Sequence, residues 1–399
     1  MNTNGANAEN DVDVLIVGAG MVGATLACAL APSNLRIVLL DARCPQQQWA
    51  DDGYDIRVSA ITHASQSLLQ ELQIWPYIEA QRLSPYREMH VWDASGNGEV
   101  HFDSAELGEP DLGHIIENRV IVRALHQRLA SFDNVRLLCP IEMKKLDIDE
   151  DRAALTLADG TQIQSRLLVA ADGGRSWVRQ QAGIGLHGWD YDQSALVTWV
   201  KTERHHQETA WQRFQPDGPL AFLPLTEGHS SIVWSTDHEH AKALLALDES
   251  AFAEELATSF EQRLGRIEKI GPRAVFSLRY FETLHYVQTR LALAGDAAHM
   301  MHPLAGQGVN LGMADAAALA EVLLEAHGKQ QDLGSYSVLR RYERWRRADN
   351  CAMLFSMDAF KLLFSSRSES VRWLRNMGLN MSNRITPLKH AFMHRALGR

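Results

Sequence analysis

Three clusters of glycine and carboxylate hold most of the chemistry this chain offers. The first is Gly18, Gly20 and Gly23, in G-x-G-x-x-G spacing, with Met21 and Val22 between the last two. Glycine at the first position permits a tight turn. At the second it lets backbone approach a pyrophosphate, and at the third it lets a helix pack close on a strand. Free N–H groups at the helix N-terminus then face the ligand's negative charge. Asp41 follows at the spacing where a carboxylate accepts ribose hydroxyls. The second cluster is Asp172-Gly173-Gly174. The third runs from Gly295-Asp296 through His299 and His302 to Pro303 and Gly306-Gln307-Gly308-Val309-Asn310.

These clusters need elements to hold them. Val14 to Val17 reads as a buried parallel strand and Ala24 to Leu30 as the helix that follows. Leu35 to Leu40 gives a second strand that ends at Asp41. Leu167 to Ala171 and Leu291 to Ala294 repeat the pattern before Asp172 and Gly295. Turns at the carboxyl ends of parallel strands are where open α/β sheets bind ligands. A further helix is predicted from about Val309 to Ala326. Its N-terminus is positive, and the small residues Gly312, Ala314, Ala316, Ala317 and Ala318 suit close approach to a flat group. The competing reading of the uncharged run Val14 to Ala31 is a membrane span. Three glycines at a strand–helix junction and Pro32 argue against it.

Between the clusters the chain changes character. Glu88 to Trp92 and Glu99 to Phe102 flank a turn and read as a hairpin, and Asn118 precedes an amphipathic helix over Val120 to Ala130. Residues 190–275 read as an inserted antiparallel sheet of short strands, among them Ala195 to Val200, Ala210 to Phe214, Ala221 to Leu225 and Ser231 to Trp234. Trp211, Phe222, Pro224 and Trp234 are candidates for one wall of an apolar pocket; ordinary sheet core is the rival reading.

Composition sets bounds. With 399 residues, 46% hydrophobic and 22% charged, the chain is ordinary for a globular enzyme with more than one core. Cys28, Cys44, Cys139 and Cys351 form no C-x-x-C pair and read as scattered reduced thiols of a cytoplasmic protein. His299 and His302 lack a third ligand nearby, so no metal is expected. The net charge of −10 divides unevenly: from Arg340 onward the chain carries +9, leaving −19 for the rest. An acidic body does not suit nucleic acid. A basic tail interleaved with apolar residues suits anionic lipid, an acidic partner or a solvated helical face.

Taken together, the three clusters resemble those of single-component FAD-dependent aromatic monooxygenases with the para-hydroxybenzoate hydroxylase fold, and within them the ubiquinone-biosynthesis hydroxylases. Arg57-Val58-Ser59-Ala60-Ile61, Leu112 to Asn118 and Gly218 to Leu225 add to the likeness. The resemblance implies an α/β fold: a Rossmann-like FAD-binding domain (12–85, 111–183 and 285–330), an inserted antiparallel substrate-side sheet (86–110 and 184–284) and C-terminal helices (331–399). It implies that Gly18, Gly20, Met21, Val22 and Gly23 hold the FAD pyrophosphate and Asp41 the ribose. Arg57 would lie near the pyrophosphate and the nicotinamide donor, and Asn118 near the flavin. Asp172 would serve FAD and NAD(P)H phosphates, and Asp296 the ribityl chain or pyrophosphate. Pro303 and Gly306 to Asn310 would frame the isoalloxazine. The implied reaction uses NAD(P)H and O2 to hydroxylate a polyprenylated phenol or benzoquinol, beside a membrane or in a biosynthetic assembly. A flavin oxidoreductase that does not hydroxylate, or a non-catalytic flavoprotein subunit, carries the same motifs. No catalytic base is nameable from these residues.

Overall fold

A computed structural model of the chain describes residues 10–49, 53–300 and 308–365, with 376, 389, 390 and 393. Its first sheet has eight strands. A row of six runs β18 (Val287–Gln288), β19 (Leu291–Leu293), β11 (Gln162–Ala170), β1 (Asp11–Val17), β2 (Ile37–Leu40) and β8 (Val135–Leu138). The strands from β19 to β8 are mutually parallel. The remaining two, β9 (Met143–Ile148) and β10 (Ala153–Leu157), extend antiparallel from β11. Continuous apolar runs build the row because both faces are covered: Leu15, Ile16, Leu39 and Val169 have no exposed surface. Helix α1 (Met21–Leu30) packs on α4 (Asn118–Leu129) and on α8 (Gly308–Gly328), and α8 packs on α9 (Tyr336–Ser365). Short helices α2 (His63–Glu71), α3 (Trp75–Glu79) and α5 (Trp177–Gln181) fill the connections.

A second, nine-stranded sheet orders β20 (His299–Met300), β17 (Ala274–Thr283), β12 (Leu186–Thr202), β15 (His229–Asp237), β14 (Gly218–Pro224), β13 (Thr209–Gln215), β5 (Glu88–Asp93) and β6 (Glu99–Asp103). The ninth strand, β16 (Ile267–Ile270), pairs with β12. A three-stranded sheet of β3 (Val58–Ile61), β7 (Gly113–Glu117) and β4 (Ser84–Tyr86) completes the set.

Two departures from the sequence expectation matter. Helices α6 (His238–Ala246) and α7 (Glu249–Ser259) lie within the span read as sheet. Each is announced by an aspartate cap: Asp237 accepts the His240 N–H and Asp248 the Ala251 N–H. Their apolar side chains Leu244, Phe252 and Leu256 cover one face of the second sheet, together with Phe260. That covered face is why the sheet carries large aromatics. Trp234 is fully buried, and Phe222 stacks on Phe260 at 3.9 Å.

The second departure concerns cysteine. Cys44 and Cys139, 95 residues apart, form a disulfide with Cα atoms 5.0 Å apart, so they are not free thiols. Sheet register explains it: Leu40 on β2 pairs with Leu138 on β8, and each cysteine follows its strand. Cys28 and Cys351 stay free. No described helix is long and apolar enough to cross a membrane.

Trp234→Ala should cost about 3–5 kcal/mol in urea unfolding. A loss under about 1 kcal/mol would place its ring outside the core.

Candidate active site

Register brings the three clusters together. On the first sheet Leu293 pairs with Ala170, Ala170 with Val17, and Val17 with Leu40. The residues that follow these four strand ends therefore emerge at one edge. They are Gly295-Asp296, Asp172-Gly173, Gly18 to Gly20, and Asp41. The approach is close. A Cβ on Gly18, whose φ is +109°, would lie 2.2 Å from the Ala171 carbonyl oxygen. A Cβ on Gly23 would lie 1.9 Å from the Gly18 carbonyl oxygen. Both positions exclude any side chain, for the reasons the spacing suggested.

The edge opens into a cavity of about 490 Å³. Gly20, Met21, Val22, Arg57, Asn118, Asp296, Gly308 and Val309 line it. Gly18, Gly23, Asp41 and Asp172 are not part of that lining. Asp41 accepts the Ala19 N–H at 2.8 Å and the Arg43 N–H at 2.9 Å, which fixes its carboxylate beside the glycine turn. Asp172 accepts the Val178 N–H at 3.2 Å through Oδ2, and burial raises its pKa. Burial also raises that of Asp296, whose side chain meets the open cavity. Arg57 is exposed at the cavity, its guanidinium 5.8 Å from the Phe276 ring centroid. Asn118 accepts the Ser59 hydroxyl at 2.7 Å through Oδ1.

Asn310 does something the sequence did not suggest. Its Oδ1 accepts the Thr62 N–H at 3.2 Å and its Nδ2 donates to the Ala60 carbonyl at 2.8 Å, strapping the end of β3 to the start of α8. Pro303, Gly306 and Gln307 lie outside the described residues. The small residues of α8 also have another use. A Cβ on Gly312 would lie 2.6 Å from Val22 Cγ2, so this glycine lets α8 pack close on α1.

The cavity's other wall is the second sheet, and the residues expected from sequence are not the ones that line it. Trp211, Phe222, Pro224 and Trp234 do not line it; Phe222 and Trp234 belong to the core under α6 and α7, with Trp211 packed against them. Side chains alternate faces along a strand, so one step in register moves the whole set. The cavity face carries Ala195 and Val197 on β12, Pro219, Ala221 and Leu223 on β14, and Ser231, Val233 and Ser235 on β15, with Gln212 on β13. Cross-strand pairs set Ala221 against Val233 and Val233 against Val197. The result is a shallow, largely apolar floor. Its signal was present in the sequence as alternate small residues on strands whose other parity is aromatic.

The residues fit an adenine dinucleotide. A Cβ on Gly20 would meet nothing within 4 Å, so backbone is open to a ligand at the N-terminus of α1. Asp172 Oδ1 is buried and has no hydrogen-bond partner among the described residues. No side-chain hydrogen bond caps the start of α1, so its N–H groups favour negative charge in front of them.

Gly20→Val should therefore leave the melting temperature within roughly 2 °C yet abolish FAD retention, while Gly18→Val should destabilise the fold by about 1–3 kcal/mol. Normal FAD binding by Gly20→Val would refute the cradle.

Comparison with known proteins bears on the same cofactor. The FAD binding domain family matches residues 11–352. The chain is 41% identical over 386 residues to the 3-demethoxyubiquinol 3-hydroxylase of Escherichia coli, covering 97% of this chain and 98% of that protein. It is 41% identical to the ubiquinone hydroxylase UbiL of Rhodospirillum rubrum, covering 98% of this chain and 91% of that protein. It is 36% identical to the human mitochondrial ubiquinone biosynthesis monooxygenase COQ6, covering 98% and 93%. The p-nitrophenol 4-monooxygenase PnpA of Pseudomonas putida shares the fold, with a TM-score of 0.80 at 18% identity over 97% of this chain and 98% of that one. The chain is an FAD-dependent monooxygenase and belongs to the ubiquinone-biosynthesis hydroxylase family.

Proposed function

We propose that this protein hydroxylates the ring of a polyprenylated phenol or benzoquinol, consuming NAD(P)H and O2. One observation carries the reading: a single cavity joins the FAD turns to a floor of small side chains, Ala195, Val197, Ala221 and Val233. A flat apolar ring fits such a floor, and a long prenyl chain needs the room that large side chains would fill. When bound, FAD supplies hydride acceptance and O2 activation. The chain's own part is to orient and to exclude water. The floor keeps the ring dry against the cofactor. Gln212, Ser231 and Ser235 are the polar groups available on the floor to a ring oxygen. Arg57 offers a cation at the cavity for the FAD pyrophosphate and for the phosphates of the nicotinamide donor.

For the ring position, we favour C5 of a 2-polyprenylphenol. Hydroxylation at C6 of a benzoquinol is the close second reading, and the demethoxyubiquinol in the name of the Escherichia coli relative supports a quinol substrate for it.

We also propose that the enzyme works beside the membrane or within a biosynthetic assembly, as its oily substrate demands. The basic C-terminal stretch supports this less than its charge suggests. Arg340 pairs with Glu343, Arg341 with Glu325, Arg346 with Asp315, Arg347 with Glu282 and Lys389 with Glu106. Arg340 pairs within its own helix, while the other four tie described residues of that stretch to the body.

Purified holoenzyme given NAD(P)H, O2 and each candidate quinol should yield one hydroxylated product by mass spectrometry. NAD(P)H consumption that yields only hydrogen peroxide with every ring would contradict the proposal. Ala221→Phe should retain FAD but lower kcat/KM by about tenfold or more, since a filled pocket discriminates by roughly 1–3 kcal/mol per small group. Unchanged kcat/KM would remove the floor from the substrate site.

A further inference from the structure

One buried carboxylate outside every motif read from the sequence touches three parts of the fold at once. Asp315, on the second turn of α8, has no exposed surface. Its Oδ2 accepts the Gly295 N–H at 3.0 Å and lies 2.6 Å from His299 Nε2. Its Oδ1 accepts Arg346 Nε at 2.8 Å and Asn350 Nδ2 at 3.4 Å. Gly295 precedes Asp296 at the cavity, and His299 lines the cavity wall. Arg346 and Asn350 belong to α9 and are themselves buried. Arg346 is fixed further by Asp349 and by the Asn350 Oδ1, each at 2.9 Å.

α9 holds the same edge by a second route. The Tyr342 hydroxyl donates to the carbonyl of Leu293, the last residue of β19, at 2.8 Å. Glu343 accepts the Tyr286 N–H at 2.8 Å, and the Tyr286 ring stacks on His299 at 5.7 Å.

Apolar packing alone would join two helices as well as a buried ion network does, and often better. What the network adds is direction. A carboxylate that accepts four donors from three segments fixes where each of them sits. We infer that Asp315, with Arg346 and Asn350, is a positioning residue for the flavin: it fixes the Gly295–Asp296 turn and His299 against the cofactor and makes α9 part of that site. The inference rests on the cavity being the FAD site.

Charge follows from the geometry. Burial alone would lower the pKa of His299, but the Asp315 carboxylate outweighs it and the net direction is upward. Burial likewise would raise the pKa of Asp315, and His299 with Arg346 reverses it. The Asp315 carboxylate thus favours the protonated form of the imidazole at the cavity wall. The other charged or titratable groups facing this pair are Asp296, Tyr286, Tyr342 and Arg346.

Three measurements on purified wild type, Asp315→Asn, Arg346→Met and Arg346→Lys test this: the FAD dissociation constant, the midpoint potential of bound FAD, and the melting temperature of the FAD-free protein. Asp315→Asn and Arg346→Met should each weaken FAD roughly tenfold and shift the midpoint potential, with Arg346→Lys restoring part of both. A merely structural role predicts lower melting temperatures with FAD affinity within about twofold and an unmoved potential; that result would overturn the inference. Should Asp315→Asn not fold, the Arg346 pair decides by the same readouts. Wild type that fails to bind FAD would remove the premise instead, and is told apart because no variant is then needed.

Discussion

The register of four parallel strands is the constraint on which the rest depends. Because Leu293, Ala170, Val17 and Leu40 pair in one row, four strand ends finish level and their turns share one edge. No side chain in those turns needs a special conformation to meet the others. The backbone does the gathering, and glycine at positions 18 and 23 allows it by leaving no Cβ where neighbouring carbonyl oxygens already sit. The helices then aim free N–H groups at the space so formed, which suits a ligand that carries phosphates. A slip of β11 or β19 by one residue would turn its terminal carboxylate to the other face of the sheet.

The second sheet shows the same period working for a different end. One face is sealed by α6 and α7 and takes aromatic side chains; the other bounds the cavity and takes alanine, valine and serine. Size segregation between the two faces follows from what covers each. A helix-covered face is filled to close packing, whereas the cavity face is built from small side chains.

Much of this was legible in sequence. The strand–glycine–helix junction at Gly18, the acid at Asp41, the Asp172 and Asp296 turns and the helix after Gly308 all carry local signals, because their chemistry is set by backbone conformation and short spacing. What escaped was set by long-range contact. The Cys44–Cys139 disulfide depends on β2 and β8 being neighbours, which no local pattern records. The choice of Trp211, Phe222, Pro224 and Trp234 followed bulk and hydrophobicity, and parity reversed it. Asn310 was read as part of a ligand loop, yet its amide is spent on Thr62 and Ala60, partners some 250 residues away in the chain. Asp315 sits in a run of alanines that reads as an ordinary helix face, and only tertiary structure shows its four donors. The sequence did carry one further hint, the capping aspartates Asp237 and Asp248, which mark two helices inside a stretch read as strands.

A crystal structure of the protein with FAD bound tests the central claim most directly. The account predicts one FAD, with its pyrophosphate on the backbone at Gly20 and its ribose hydroxyls at Asp41. Its ring system should lie between the Gly295–Asp296 turn and the start of α8, open on one side to the floor of Ala221 and Val233. FAD found elsewhere, or bound with Asp41 and Asp296 both out of reach, would contradict it.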